Sequence, residues 1–516
     1  MKLQQLKWSL PSAIWLLLAT TGWVAADEKP NVVIILADDM GYGDIHALNP
    51  DSRIPTPHLD ALAAQGVTFR DAHSASAVCT PTRYSLLTGR YSWRTPMKRG
   101  VLGGYSKPML KSDRATIGTL MKRAGYHTGA VGKWHLGMDM PLKKSDANIK
   151  QWQGDPGIDF AGVISDSPIH HGFDYYFGVS ASLDMAPYVF IRNDRFTALP
   201  TTQQPGVPFP HFIRKGPRAE DFVIDQVLDR LVGEAVGFID EQSKKPEPYF
   251  LYVPFTAPHK PTQPNEKFRG TTELGEYGDF IAQVDDAVGQ ILAAVDAADR
   301  AQQTKTCVVF TSDNGSYMFR YDDETKPDHT DDEKIQGFRA ANHRANGPWR
   351  GTKADIYEAG HHVPFFVRWP GVLPAGASVD QPICQVDLFA TCAEIVNQPL
   401  ADDEGEDSFS ILDIALGKKA NRPAPIIHQS GSGMLALRNA DWKLIAGTGS
   451  GGRQKPKGQA DKKPFQLFNI KRDPAESSNV ASQEKEIVAS LSRELETLRS
   501  AKGSREKYTS AMPEQN

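Results

Sequence analysis

The chain has 516 residues, of which 40% are hydrophobic and 23% charged, so it is long enough for more than one globular domain with a large core. Its formal net charge is −4, which provides no overall basic field and argues against a nucleic-acid-binding protein. The four cysteines are too few for a disulfide scaffold; Cys384 and Cys392 could pair, although nothing in the sequence requires it.

The N-terminus, residues 1–26, has the pattern of a signal peptide. Lys2 and Lys7 precede an apolar stretch at residues 10–24, and small residues at 24–26 fit a cleavage site. A membrane anchor is the alternative, but the stretch is short for a spanning helix. We therefore expect an exported protein without stable membrane insertion after cleavage, periplasmic or secreted in a bacterium and lysosomal in an animal.

Apolar runs and helical patterns alternate along the first three quarters of the chain. The runs that predict buried strands are residues 32–37, 129–132, 249–254 and 307–311. The helical patterns are residues 58–65, 116–124, 221–240 and 277–298. This alternation predicts an α/β fold, with a mainly parallel sheet flanked by helices.

Polar, ionisable residues follow each of the four predicted strands. They are, in order, Asp38 and Asp39, Lys133 and His135, His259, and Asp313 and Asn314. Ligands of open α/β sheets bind outside the carboxyl ends of the strands, so we expect these side chains to meet at one edge.

The last part of the chain has a different pattern. The composition changes near residues 397–406, which predicts a catalytic domain at 27–398 and a smaller one at 399–516. Short strands are predicted at residues 425–428, 434–437, 442–446 and 466–468, and a final helix at 485–498. They indicate an α+β domain with an antiparallel sheet. Residues 447–463 predict a mobile loop, and 143–166 and 317–346 predict insertions over the site.

Cys79 begins the run CTPTRYSLLTGR, residues 79–90. Pro81 and Thr80 predict a helix start, with Thr80 as the N-cap and the positive end of the helix directed at residue 79. An isolated cysteine is more often a small buried hydrophobe. The whole run, however, resembles the signature of type I sulfatases, C-x-P-[S/T]-R followed by L-T-G-R. The resemblance implies that a formylglycine-generating enzyme converts Cys79 into formylglycine (3-oxoalanine), whose hydrate attacks sulfur.

Asp38-Asp39 and Asp313-Asn314 resemble the two halves of the metal site in that family, which implies that they bind a cation together with the modified residue 79. Carboxylate and amide oxygens are hard ligands that suit Ca²⁺, with Mg²⁺ as the alternative. In isolation, an Asp-Asp pair is more often a loop cap, and an Asp-Asn-Gly sequence is more often a tight turn.

Further motifs match the family in chain order. Gly132 to Gly137 resembles its G-K-W-H-L-G run, which implies that Lys133 binds sulfate and that His135 acts as a base. By the same resemblance, His259 protonates the leaving group, Lys353 binds sulfate, and Arg83 supports the nucleophile and the metal ligands.

The resemblance covers roughly residues 30 to 480 and is closest to arylsulfatase A and N-acetylgalactosamine-6-sulfatase relatives. It implies an alkaline-phosphatase-like fold and hydrolysis of the sulfate ester of a sulfated carbohydrate or an aryl sulfate. Two alternatives remain, a phosphonate or phosphate monoester hydrolase of the same superfamily and an inactive exported glycan-binding protein. The residues of one further segment could line the leaving-group pocket or be structural: His170, His171, Asp184 and Arg192.

Overall fold

The computed structural model describes residues 29–144, 152, 154–328 and 335–508, so the predicted signal peptide lies outside the described residues. The strands are β1 (Val32–Asp38), β2 (Val67–Phe69), β3 (Ala72–His73), β4 (His127–Lys133), β5 (Tyr175–Val179), β6 (Ile191–Arg192), β7 (Arg195–Phe196), β8 (Thr202–Gln204), β9 (Gly216–Arg218), β10 (Tyr249–Pro258), β11 (Cys307–Ser312), β12 (Phe319–Tyr321), β13 (Gly337–Arg339), β14 (Phe365–Arg368), β15 (Ala377–Val379), β16 (Ile383–Cys384), β17 (Ile426–Gln429), β18 (Leu435–Arg438), β19 (Trp442–Ile445), β20 (Gly447–Thr448), β21 (Gln459–Ala460) and β22 (Gln466–Asn469). The α-helices are α1 (Pro57–Gln65), α2 (Cys79–Thr88), α3 (Ile117–Arg123), α4 (Val227–Gln242), α5 (Gly275–Gln302), α6 (Glu358–His361), α7 (Leu388–Ile395), α8 (Leu412–Ala415), α9 (Lys485–Ser500) and α10 (Ser504–Tyr508).

The largest sheet has ten strands in the order β15-β2-β14-β11-β1-β10-β4-β5-β6-β7. Its five central strands, from β11 to β5, run parallel, whereas β14 is antiparallel to β11. Every residue of β1 is buried, as expected for a strand covered on both faces. The prediction of a mainly parallel sheet is confirmed, and the four strands predicted from apolar runs are its neighbouring members β11, β1, β10 and β4.

Helix α5 covers one face of this sheet and contacts β10, α4 and α1. Its inward residues recur at helical spacing, as in Tyr277, Ile281, Val284, Val288 and Ile291, and all five are fully buried. This apolar stripe explains why the segment folds as a long amphipathic helix.

The C-terminal part contains the predicted antiparallel sheet, in the order β17-β18-β19-β22. Leu491, Leu495 and Leu498 of α9 join the apolar cluster of this sheet. The α+β organisation is therefore confirmed, while the boundary at residue 398 stays a prediction.

The prediction of a mobile loop at residues 447–463 is wrong. Strands β20 and β21 pair within it, and the Ile356 amide donates a 2.7 Å hydrogen bond to the Ser450 carbonyl. The glycines of this segment let its backbone pack closely against the rest of the protein, as Gly452 does against Ala354.

All four cysteines are buried and free, so Cys384 and Cys392 do not form the disulfide that the sequence left open. Among the described residues, no helix has the length and apolar character needed to cross a membrane.

Candidate active site

The candidate residues meet at the carboxyl ends of the central strands. Asp38 ends β1 and Lys133 ends β4, while Asp313 and His259 come directly after β11 and β10. These four strands are adjacent and parallel, so their carboxyl ends share one edge of the sheet. The structure confirms the prediction that these polar residues meet at one edge of the sheet.

Helix α2 brings Cys79 to this edge from the side. The helix begins at Cys79, so the prediction of Thr80 as its N-cap is wrong; the extended Val78 occupies that position. The Thr80 hydroxyl instead donates to the His135 carbonyl at 3.0 Å and accepts from the Leu102 amide at 3.1 Å. Thr80 therefore ties the start of the helix to the segment that carries His135.

Two lysine–aspartate pairs surround the Cys79 thiol. Lys133 Nζ lies 2.7 Å from Asp38 Oδ2, and Lys353 Nζ lies 2.6 and 2.7 Å from the two carboxylate oxygens of Asp39. The sulfur of Cys79 is 3.4 Å from Lys353 Nζ, 3.5 Å from Asp38 Oδ1 and 3.9 Å from Asp39 Oδ1. The thiol is thus within reach of both a cation and two carboxylates.

Arg83 lies one helical turn after Cys79 and is fully buried. Its Nε and Nη2 donate to Asp313 Oδ2 at 2.9 and 2.8 Å, and its Nη1 donates to the Lys133 carbonyl at 2.8 Å. The rigid guanidinium fork therefore joins α2 to the ends of β11 and β4.

Asn314 adds an amide oxygen to the candidate metal ligands Asp38, Asp39 and Asp313. Its Nδ2 donates to Asp39 Oδ1 at 2.7 Å, whereas its Oδ1 is buried without a hydrogen-bond partner in the described structure. A buried acceptor without a partner is costly in a protein interior. The three carboxylates and this free amide oxygen fit a hard divalent cation. Asn314-Gly315-Ser316 also matches the sequence pattern for N-glycosylation, but the full burial of Asn314 leaves no room for a glycan.

The two adjacent aspartates have opposite pKa shifts. Burial raises the pKa of Asp38 to about 7 against the lowering effect of Lys133. Burial also acts on Asp39, but the charges of Lys353, His259 and Lys133 outweigh it and hold its pKa below the usual range. Asp39 is therefore the carboxylate that the neighbouring cations keep ionised.

Burial raises the pKa of the Cys79 thiol well above its ordinary value. The thiol is therefore protonated at neutral pH, and a protonated thiol is a poor nucleophile. The unmodified thiol of Cys79 is therefore unsuited to attack a sulfate ester.

The two histidines of the site present different nitrogens. His135 Nε2 donates to the Leu102 carbonyl at 2.8 Å, which leaves a buried Nδ1 without a hydrogen bond in the described residues. His259 Nδ1 donates to the Lys260 carbonyl at 2.7 Å, and its Nε2 lies 3.7 Å from Asp39 Oδ2. Burial lowers the pKa of both imidazoles well below the ordinary value, so each has one free lone pair.

Residues 30–397 match the family model described as Sulfatase. The chain belongs to the sulfatase family. The sulfatase is 32% identical to the N-acetylgalactosamine-6-O-sulfatase of Bacteroides thetaiotaomicron, over 92% of this chain and 93% of the relative. It is 29% identical to the human steryl-sulfatase, over 76% and 70% of the two chains.

Among solved structures, the sulfatase matches one from work on glycosaminoglycan metabolism by Bacteroides thetaiotaomicron, with a TM-score of 0.77 and 30% identity. The match covers 92% of this chain and 100% of the other. It confirms the predicted alkaline-phosphatase-like architecture, and the family membership makes the protein an enzyme that hydrolyses sulfate esters.

A cavity of about 470 Å³ opens above Cys79 in the sulfatase. Its charged, imidazole and aromatic lining residues are His135, His259, Lys353, Arg214, Arg453, Lys457 and Trp152. The sequence analysis did not identify Arg453, Lys457 or Arg214. The cluster of basic residues after Gly452 was a usable signal for the first two, because an anionic substrate needs local cations when the net charge is negative.

Of the described residues between 143 and 192, only some reach this cavity. Trp152 lines it, and Asp184 lies beside it in a salt bridge with Arg214. His171 instead bonds to Asp166 at 2.7 Å, and Arg192 pairs with Glu234 at a separate 820 Å³ cavity along α4.

The structural alternative that the sequence left open therefore holds for His171 and Arg192, and also for His170. His170 accepts a hydrogen bond from the Ser167 amide and has a structural role. None of the described residues of 317–346 lines the cavity above Cys79, contrary to the predicted insertion over the site.

Proposed function

We propose that Cys79 of this sulfatase is converted into formylglycine, and that the mature enzyme removes sulfate from a sulfated glycan. The observation that carries this proposal is the position of Cys79, at the first residue of α2 and within 4 Å of Lys353, Asp38 and Asp39. Its raised thiol pKa supports a precursor rather than a nucleophile. Hydration of the aldehyde supplies the hydroxyl nucleophile that a thiol of this kind does not.

Asp38, Asp39, Asp313 and Asn314 would hold a Ca²⁺ ion, with Mg²⁺ as the alternative. The free, buried Oδ1 of Asn314 supports this assignment, because no other group of the described structure satisfies that oxygen. When bound, the cation lowers the pKa of a coordinated hydroxyl and offsets negative charge on a sulfate oxygen. Arg83 orients Asp313 for this purpose through its two hydrogen bonds to one carboxylate oxygen.

Lys133 and Lys353 would bind the sulfate oxygens. Both ammonium groups are buried and are held by Asp38 and Asp39, so their positions are fixed before the substrate arrives. Fixed cations of this kind stabilise charge that develops in the transition state without reorganising.

The histidines would move the protons. His135 accepts a proton at Nδ1, because the Leu102 carbonyl fixes the hydrogen on its Nε2. With substrate bound, His259 would carry a second proton at Nε2, the nitrogen that is not bonded to the Lys260 carbonyl, and would deliver it to the leaving oxygen. A sulfate group beside His259 raises the pKa of its imidazole against the effect of burial, so substrate binding favours the protonated form.

A glycan is the substrate class that the cavity supports best. The exposed indole of Trp152 beside the cavity offers a surface for the apolar face of a sugar ring. The basic residues Arg453 and Lys457 suit an anionic polysaccharide. One relative is named for N-acetylgalactosamine 6-O-sulfate, but another is named for steryl sulfate, so this argument rests on the cavity rather than on similarity.

Export follows from the same proposal. A signal peptide at residues 1–26 would take the enzyme to the periplasm or the medium, where sulfated polysaccharides occur. A formylglycine-generating enzyme would act on Cys79 during maturation, before α2 buries the thiol.

The deciding experiment is peptide mass spectrometry of residue 79 after co-expression with a formylglycine-generating enzyme. We expect the aldehyde mass at Cys79, and loss of sulfate ester hydrolysis in the Cys79→Ala variant. Cys392→Ala, at a buried cysteine of the core, is the matched control and should keep the modification. Unmodified Cys79 in a host that modifies another sulfatase would overturn the proposal, and faster cleavage of a phosphonate monoester than of any sulfated sugar would replace the substrate class.

A further inference from the structure

Two exposed basic residues line the outer part of the Cys79 cavity. Arg453 and Lys457 belong to residues 450–458, called here the basic loop. Within the described part of the chain, neither side chain forms a salt bridge, whereas Arg214, which also lines the cavity, is paired with Asp184. Arg453 and Lys457 are therefore not tied up in an ion pair and are available to a ligand.

A third cation lies next to His259. The Lys260 ammonium is 4.1 Å from the centre of the Phe209 ring and 4.7 Å from that of Tyr317. No described carboxylate lies within salt-bridge distance of it. Burial, and to a smaller extent repulsion by the charges of Arg453 and Lys353, lowers the pKa of Lys260 to about 7. An anion placed here would relieve that repulsion.

The basic loop is fixed in place by a residue close to Lys353 in the sequence. Asp355 Oδ1 accepts hydrogen bonds from the backbone amides of Arg453 at 2.5 Å and Gln454 at 3.0 Å. Gly452 packs so closely that an added Cβ would lie 2.3 Å from the Ala354 carbonyl oxygen. The position of the Arg453 backbone relative to the reaction centre is therefore determined by the fold.

We propose that Arg453 and Lys457, with Lys260 behind them, bind a second anionic group of the substrate, carried by the sugar next to the sulfated one. The group is a carboxylate or a second sulfate. This inference rests on the proposed function and adds a requirement to it, because Lys133 and Lys353 already serve the sulfate that is cleaved. The enzyme thereby selects polyanionic glycans over singly charged sulfate esters.

The test compares three sulfated disaccharides that differ only in the neighbouring sugar, which carries a carboxylate, a second sulfate or a neutral alcohol. Wild-type enzyme should show a higher kcat/KM for one or both dianionic substrates, and the preferred one identifies the group. In the double variant Arg453→Gln with Lys457→Gln, the ratio of dianionic to neutral kcat/KM should fall at least about tenfold. Lys455→Gln, an exposed lysine of the same loop that does not line the cavity, should keep the wild-type ratio.

A second variant separates charge from position. Gly452→Ala keeps both cations but displaces the loop from Ala354, so it should also reduce the ratio. The inference is overturned if the wild-type ratio is one, if the double variant keeps it, or if all substrates lose activity equally.

Failure of the proposed function has a different signature, since wild-type enzyme would then hydrolyse none of the sulfate esters. Calorimetric binding of the same disaccharides to the protein with unmodified Cys79 decides the inference in that case. The dianionic sugar should bind at least about tenfold more weakly to the double variant, and equal affinities would overturn the inference.

Discussion

Lys353 Nζ contacts both carboxylate oxygens of Asp39, at 2.6 and 2.7 Å, and lies 3.4 Å from the sulfur of Cys79. One ammonium group thus holds a proposed metal ligand and touches the proposed precursor of the nucleophile. The ionised Asp39 raises the pKa of Lys353 against the effect of burial, so the lysine is charged in the resting protein. Its burial and its contacts hold the side chain in one position. The same cation can bind a sulfate oxygen without moving far.

Replacing this lysine tests that arrangement. Lys353→Met keeps the length of the side chain and removes the charge, so we expect kcat for sulfate ester hydrolysis to fall about 10²- to 10³-fold. The control is Lys122→Met, which removes an exposed lysine paired with Asp174. Activity within twofold of wild type in Lys353→Met would contradict a role in binding the reacting group.

Arg83 and Arg123 form a matched pair for measuring what burial adds to an ion pair. Arg83 makes two hydrogen bonds to Asp313 in the interior, and Arg123 makes two to Glu404 at the surface. Arg83→Lys loses the guanidinium fork and leaves a buried carboxylate poorly paired, so the free energy of unfolding should fall by about 3–5 kcal/mol.

Arg123→Lys is the control for this change. Its side chain is 45% exposed, so the loss should stay below about 1 kcal/mol. Urea unfolding of both variants gives the comparison. Similar losses at the two positions would mean that burial does not control the strength of these pairs.

Much of this site could be predicted from sequence because parallel strands place their ends together. Apolar runs without alternation identified β1, β4, β10 and β11, and the residues after them therefore had to meet. The same logic does not reach Arg453, which comes from a loop of the other domain. Its position depends on hydrogen bonds from its backbone to Asp355, about a hundred residues earlier, and no local pattern encodes such a contact.

The Thr80 error has a similar cause. Local propensity favours threonine as an N-cap, but tertiary contacts offered its hydroxyl two partners, the His135 carbonyl and the Leu102 amide. The helix therefore begins two residues earlier than it would with Thr80 as the N-cap, and Cys79 becomes part of its first turn.

Gly132 determines how close β4 comes to β10 just before Lys133. Its φ is +140°, and an added Cβ would lie 1.9 Å from the Pro254 carbonyl oxygen. Gly132→Ala should therefore destabilise the protein and displace Lys133, lowering both the melting temperature and kcat/KM.

Gly233 is the control glycine, on the exposed side of α4 with no atom within 4 Å of an added Cβ. Gly233→Ala should stabilise the protein by about 0.5–1 kcal/mol without changing activity. Thermal melts and kinetics of the two variants test both statements. A stable, fully active Gly132→Ala protein would show that the strands can separate at no cost.

A buried histidine network joins the two parts of the sulfatase. Lys443 Nζ donates to His361 Nε2 at 2.9 Å, so His361 donates from Nδ1 to His73 Nδ1 at 3.0 Å. His73 Nε2 in turn donates to Asp71 at 2.7 Å. The other charged or titratable groups that face the network are Glu358, Glu476, Arg438, His362 and His428. Each of these three bonds has one donor and one acceptor when the imidazoles are neutral.

Burial, helped by Arg438, lowers the pKa of His73 to about 4 from an ordinary 6.5. Between pH 4 and pH 6.5, His73 therefore binds a proton in the unfolded chain but not in the folded protein. The unfolding free energy must therefore decrease as the pH falls from 6.5 to 4, by about 3 kcal/mol for this residue alone. Above pH 6.5, the contribution of the neutral His73 to the unfolding free energy is fully present.

Urea unfolding at pH 7 and pH 5 measures this slope. His73→Asn should be less stable than wild type at pH 7, because it breaks the network, but should lose less stability on going to pH 5. His46→Asn, at a histidine whose side chain is 54% exposed, should keep the wild-type slope. If His73→Asn also keeps that slope, the acid sensitivity comes from other groups, and His73 does not remain neutral in the folded protein for the reason given.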